Sequence, residues 1–237
     1  MRIMDYEVFV EKLEKLDFNK KQIINTINPH SYITAKNDKL FEEALKDSDI
    51  LIPDGSGIVI AARVLYNNII HKIAGADLHH FLLNKMNQEN GKIFYMGSTQ
   101  DTLDKIEKRI QKEYPNITVQ SYSPPFKSEL TEEDNDIIIK LINNFNPDVL
   151  FIGMTAPKQE KWLHEHKDRL NFHIASSIGA VFDFYAGKIQ RSPQIFINLH
   201  LEWLPRFLNE PKRLWRRNFI STPLFVVEMI KYKILKH

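Results

Sequence analysis

Four apolar residues, Val149 to Ile152, run without interruption, stop at Gly153, and give way to the polar segment Pro157-Lys158-Gln159-Glu160-Lys161-Trp162. A short apolar run closed by glycine describes a strand buried on both faces, as in a parallel sheet. Proline suits the first helical turn, where its missing N–H is not needed. The segment therefore reads as strand, turn and helix, which directs the chain toward an α/β fold. It also sets Thr155, Lys158 and Gln159 at the carboxyl end of a strand facing a helix start, where open α/β sheets bind ligands; an ordinary βα loop with a solvated Lys-Gln-Glu face is the plain alternative. Glu160 and Lys161 read as solvated helix residues.

The same alternation recurs along the chain. Strands are expected at Gln22–Thr26, Asp49–Ile52, Lys92–Met96, Thr118–Tyr122, Val149–Ile152 and His173–Ser177. Helical spacing is expected over Val8–Leu16, Ser31–Lys46, Gly57–Tyr66, Ala76–Asn87, the residues leading to Tyr114, and those around Trp162. Thr131-Glu132-Glu133-Asp134 has the character of a capping box ahead of a helix that runs to Phe145. Alternating strands and helices predict a Rossmann-like, mostly parallel sheet of about six strands flanked by helices. Residues 1–198 form the expected α/β domain, and residues 199–237 form a C-terminal appendage.

Charge marks that appendage. Residues 205–237 carry eight Lys/Arg against Glu210 and Glu228, a net +6, which leaves −4 on residues 1–204. Trp203, Phe207, Leu214, Trp215 and Phe219 interleave with these cations, the pattern of basic amphipathic helices that lie on an anionic membrane. A nucleic-acid partner is disfavoured, because the cations sit among tryptophan and leucine in one tail. No N-terminal apolar run reads as a signal peptide, and no uncharged run of about 18 apolar residues could span a bilayer. Cysteine is absent, so thiolate chemistry is excluded.

Several residues could carry chemistry. Asp54 follows an apolar strand and precedes Gly55-Ser56-Gly57. The glycines allow a tight turn and close approach of a ligand to the backbone, and the carboxylate could deprotonate a hydroxyl nucleophile; a turn aspartate is the simpler alternative. Gly97-Ser98-Thr99, between a strand and a helix, offers backbone N–H groups to a phosphate, although the glycine fingerprint of dinucleotide sites is missing. Thr26 and Asn28 end the first strand, where they could bond a sugar or a base, or simply form the turn. Asp77 precedes a helix and reads first as a cap. The nine histidines show no metal-binding spacing, and neither metal nor cofactor is expected.

Taken in order, these segments resemble the WecG/TagA/CpsF family of bacterial glycosyltransferases (glycosyltransferase family 26). The resemblance rests on Thr26-x-Asn28, Pro53-Asp54-Gly55-x-Gly57, Gly75-Ala76-Asp77-Leu78, Phe94-x-x-Gly97 and Gly153-x-x-x-Pro157-Lys158-Gln159-Glu160. It continues through Gly179-Ala180-Val181-Phe182-Asp183, Gly187-Lys188, Arg191-Ser192-Pro193, Leu201-Glu202-Trp203 and Glu210-Pro211-x-Arg213. The resemblance implies metal-independent, inverting transfer of a hexose or N-acetylhexosamine from a UDP-sugar to a sugar on a polyprenyl diphosphate. Such enzymes work peripherally, at the cytoplasmic face of the plasma membrane, in cell-surface polysaccharide or teichoic acid synthesis.

It implies Asp54 as general base. It implies Thr26, Asn28 and Gln159 as polar pocket residues that contact the sugars; Gly55, Gly57, Lys72, Asp77, Gly97, Ser98, Gly153 and Lys158 are expected to bind substrate beside them. Arg206, Arg213 and Arg217 join them from an appendage that closes over the site. Lys72 departs from the family, standing where relatives often have arginine. Surface uncovered beneath a mobile appendage would favour self-association. Competing readings are a UDP-glucose-type transferase for exopolysaccharide, a nucleotide-dependent oxidoreductase, and a non-enzymatic, nucleotide-binding scaffold on a membrane surface.

Overall fold

The computed structural model describes residues 1–189, 196, 204, 207, 208 and 211–235, apart from the side chain of Arg213. The chain opens with an antiparallel hairpin, β1 (Arg2–Ile3) and β2 (Tyr6–Glu7). Six further strands form one sheet: β3 (Gln22–Ile27), β4 (Ile50–Pro53), β5 (Lys92–Gly97), β6 (Thr118–Tyr122), β7 (Val149–Gly153) and β8 (Ile174–Ser177). Their order is β4-β3-β8-β7-β5-β6, and every neighbouring pair is parallel. All six carboxyl ends therefore lie along one edge. β7 is buried from end to end, as its unbroken apolar run requires.

The helices that cover the sheet are α1 (Pro29–Ala35), α2 (Lys39–Lys46), α3 (Ser56–Tyr66), α4 (Gly75–Glu89), α5 (Gln100–Glu113), α6 (Glu132–Phe145), α7 (Lys158–His166) and α8 (Gly179–Tyr185). Alternate residues of each strand feed opposite cores. Val149 and Phe151 pack with Leu78, Leu82 and Phe182 on one face, whereas Leu150 and Ile152 pack with Ile138, Trp162 and Leu163 on the other. The capping box forms at α6: Thr131 Oγ1 accepts from Asp134 N (3.2 Å), and Asp134 Oδ2 accepts from Thr131 N (2.9 Å).

Three local expectations change. Val8–Leu16 is not a helix but an extended stretch with a 3-10 turn at Leu13–Lys15. Val8 N donates to Met1 O (2.8 Å) and Phe9 N to Leu51 O (2.9 Å), so these amides serve the hairpin and the end of β4 instead. The helix expected over Ser31–Lys46 is two, because the Asp38 side chain caps a fresh start by accepting from Phe41 N (3.0 Å). Pro157 stands just before α7 rather than inside its first turn.

The tail continues as α9 (Pro211–Arg216), a π-helical turn (Arg217–Ser221) and α10 (Thr222–Leu235). It docks beside α1 and the hairpin. Phe225 meets Tyr32 edge-on at 5.3 Å, Tyr232 OH donates to Met4 O (3.1 Å), and Lys36 pairs with Glu228. The 198/199 boundary expected between domain and appendage lies outside the described residues. Among the described residues no helix is long and apolar enough to cross a membrane.

Candidate active site

β3 and β4 lie side by side, with Thr26 opposite Ile52 and Ile27 opposite Pro53. The chain leaves β4 through Asp54, whose N–H extends the pairing by donating to Ile27 O (2.9 Å). Gly55 then takes φ +101°, a left-handed value that admits glycine with little strain. Gly57 is required for closeness: a Cβ there would stand 2.3 Å from Pro29 Cγ. The two glycines let α3 start against the start of α1, which brings the Asp54 turn beside Asn28. Asn28 caps α1, its Oδ1 accepting from His30 N and Ser31 N (both 3.0 Å). The cap uses the amide oxygen and does not engage the amide nitrogen.

Above these turns lies a groove of about 400 Å³, floored by Asn28, Asp54, Gly55 and Gly57, with Lys72 at its side. The tail roofs it with Arg217, Asn218, Phe219 and Phe225, and α3 adds Ile60. The groove is polar toward Asp54 and apolar toward Ile60 and Val226. His30, also in its wall, shares a hydrogen bond with Ser221 Oγ (Nδ1···Oγ 2.8 Å). Burial holds the imidazole below its ordinary pKa, and the Arg217 and Arg216 charges add to the effect. The structure thus joins six of the predicted site residues: Asp54, Asn28, Gly55, Gly57, Lys72 and Arg217.

A second group forms where β5 and β7 end together. Gly97 has φ +118°, and a Cβ on it would fall 2.4 Å from Gly153 O. Ser98 N donates to that same oxygen (2.8 Å). The Ser98 N–H is therefore committed within the fold, and the donors this loop still offers are those of the first turn of α5. Gln159 is buried, with Oε1 accepting from Gly179 N (3.2 Å) and Nε2 donating to Glu160 Oε1 (2.8 Å).

Other predicted residues serve the fold or stand apart. Lys158 Nζ donates to Lys127 O (2.6 Å) in the loop before α6. Asp77 caps α4, its Oδ2 accepting from Ala74 N (3.0 Å). Thr26 lies within β3, away from the groove lining. Arg206 and the side chain of Arg213 lie outside the described residues.

Glu160 overturns an expectation. It is 4% exposed rather than solvated, and burial pushes its carboxyl up to about 7, against the hydrogen bonds from Gln159 and its own backbone N–H. A Lys-Gln-Glu-Lys run gives no sign of this, since only the helix register decides which of the four faces inward. Nothing in the sequence singles out His30 either, although it stands two residues from Asn28, an expected site residue. Among the described residues no cluster of His, Cys, Asp or Glu is placed to hold a metal ion.

A family model for the glycosyl transferase WecG/TagA/CpsF family matches residues 1–237. The N-acetylglucosaminyldiphosphoundecaprenol N-acetyl-beta-D-mannosaminyltransferase of Bacillus subtilis (strain 168) is 31% identical over 225 residues, covering 94% of this chain and 85% of that protein. The protein of the same name from Staphylococcus aureus (strain MW2) is 29% identical over 210 residues, covering 89% and 80%.

Proposed function

We propose a specific reaction for this chain, which belongs to the WecG/TagA/CpsF family of glycosyl transferases: transfer of N-acetylmannosamine from its UDP donor to N-acetylglucosamine on a polyprenyl diphosphate, with inversion. Relatives bear names that specify this acceptor and this sugar. The observation that carries the proposal is Asp54, at the carboxyl end of β4, in one groove with Lys72 and with Arg217 from the tail.

Asp54 acts as general base, taking the proton from the acceptor hydroxyl as it attacks the anomeric carbon. Negative charge then grows on the departing diphosphate, and preorganised cations are the strongest means of stabilising it. Lys72 and Arg217 line the groove for that purpose, so the transfer is proposed as metal-independent. Lys72 is a point charge where arginine would clamp two oxygens, which makes Arg217 the geometrically selective partner. The donor extends from this groove across the end of β8 toward Gly97, Gly153 and Gln159. β3 and β7 are separated by two strand spacings of roughly 4.8 Å, a distance one nucleotide sugar can cover.

Membrane contact belongs to the same proposal. α10 is apolar on most of its circumference, yet only Phe225 and Met229 are buried, while Leu224, Val227, Ile230 and Ile234 remain exposed beside Lys231 and Lys233. Such a helix needs a second apolar environment, and an anionic bilayer suits its cations and those of α9. The enzyme would thus meet its lipid-linked acceptor from the cytoplasmic face, through residues 199–237.

Asp54→Asn tests the chemistry. UDP release with UDP-N-acetylmannosamine and a short-chain N-acetylglucosaminyl diphosphate lipid should fall by about 10²-fold or more, while UDP binding by calorimetry is unchanged. Turnover at the wild-type rate would refute the assignment of Asp54.

A further inference from the structure

Glu160 is a buried carboxyl that the proposed reaction does not use. Its Oε1 accepts from Gln159 Nε2 (2.8 Å), whereas its Oε2 has no hydrogen-bonding partner. Burial of a half-satisfied carboxyl is costly, so its presence calls for an explanation. What depends on it is the Gln159 amide. Gly179 opens α8, and its N–H can only donate, so the oxygen of the Gln159 amide must face it (3.2 Å). The NH2 end is then turned to Glu160. The approach is tight: a Cβ on Gly179 would stand 2.4 Å from Met154 O and 2.7 Å from Gln159 Oε1.

An amide NH2 has two hydrogens. One is held by Glu160 Oε1, which leaves the other as the donor Gln159 can present to a ligand. We propose that Glu160 is a positioning residue: its carboxyl fixes the Gln159 amide between Gly179 N and Glu160 Oε1, and thereby fixes the one Nε2 hydrogen available to the transferred sugar. The inference rests on the proposed role of Gln159 as a sugar contact.

Among the described residues, the charges that flank α7 are engaged elsewhere. The carboxylates at the two ends of α2 pair with α7 and the turn after it, Asp38 with Lys161 (2.9 Å) and Asp47 with His164 (3.1 Å) and Lys167. From α6, Asn135 is taken by the Trp162 indole (2.9 Å), and the buried His166 ring bonds Trp162 O (2.8 Å).

The test compares Glu160→Ala, which removes the acceptor, with Glu160→Gln, which keeps an oxygen in its place, and Glu160→Asp, which is too short to reach. The Gln159 side-chain amide is followed by ¹⁵N NMR, assigned by its loss in Gln159→Leu. Its resonances should move in the Ala and Asp variants and stay near wild type in the Gln variant. In kinetics, Glu160→Ala should raise KM for UDP-N-acetylmannosamine about tenfold, as expected when a buried hydrogen-bonded group loses its partner. KM for the lipid acceptor should not change, and Glu160→Gln should restore the donor KM. Unmoved resonances in Glu160→Asp, or a lower kcat with both KM values unchanged, would overturn the inference. Should the wild-type chain transfer no sugar, the proposed function fails, while the resonances still decide the positioning claim.

Discussion

Glu160→Gln replaces a buried ionisable group with a neutral one of the same shape, and the pH dependence of stability should change with it. Burial lifts the folded carboxyl from the ordinary 4.5 to about 7. The folded chain therefore holds this proton more tightly than the unfolded chain. The stability this contributes is full below about pH 4.5, declines as pH rises to about 7, and is level beyond. At about 1.4 kcal/mol per tenfold, the separation corresponds to about 3 kcal/mol, of which between about 2 and 3 falls between pH 5 and 8. The assay is urea denaturation of both proteins at unit pH steps across that range, plotted as the difference between them. The new amide carries its own burial cost, but that cost is the same at every pH and leaves the slope untouched. Glu160→Gln should gain on wild type by between about 2 and 3 kcal/mol from pH 5 to pH 8. Parallel stability curves would refute the argument, because they would mean that Glu160 is ionised in the folded chain at little cost.

Gly97→Ala forces a Cβ against Gly153 O at a positive φ and should cost roughly 2–4 kcal/mol in urea denaturation, with the ends of β5 and β7 pushed apart. Phe225→Ala removes the buried ring that meets Tyr32; residues 211–235 should become protease-sensitive and turnover should fall, while the sheet unfolds at nearly the wild-type urea concentration. His30 is held below its ordinary 6.5 by burial and by the Arg217 and Arg216 charges. Its contribution to tail docking is thus present above that value and lost as pH falls through the lower folded value. Acid should release the tail, read by Trp215 fluorescence, and His30→Gln should show less of this pH dependence.

The strand ends were legible because an apolar run followed by glycine has few other solutions: Val149–Gly153 and Ile50–Pro53 are where the periodicity puts them. The placement of Asp54 and Asn28 could be read for the same reason, since a polar residue just after a buried parallel strand stands at the carboxyl edge of the sheet. What escaped is set by contacts distant in sequence. Val8 and Phe9 read as helical until their amides are seen on Met1 and Leu51. Glu160 looks like any surface glutamate until α7 is rotated against the sheet. The tail read as an amphipathic strip, but α10 is apolar on the side it buries and again on the side it exposes. That second side is apparent only once Phe225 and Met229 are seen to face Tyr32 and the hairpin.

The position of β8 bears on how the chain reaches this state. Among the described residues it is the last strand in sequence, yet it lies between β3 and β7, and no other described strand joins β4-β3 to β7-β5-β6. Ile174–Ser177 thus bridges two strand groups, one ending in Asn28 and Asp54, the other in Gly97 and Gly153. Their relative height is set by a strand whose pairing spans only Gln22 and Ile23 on one side and Val149 to Ile152 on the other. The alignment of the two groups therefore depends on non-local pairing, of the kind that slows folding. A slip of β8 would leave both groups intact and still part Asp54 and Asn28 from Gly97 and Gly153.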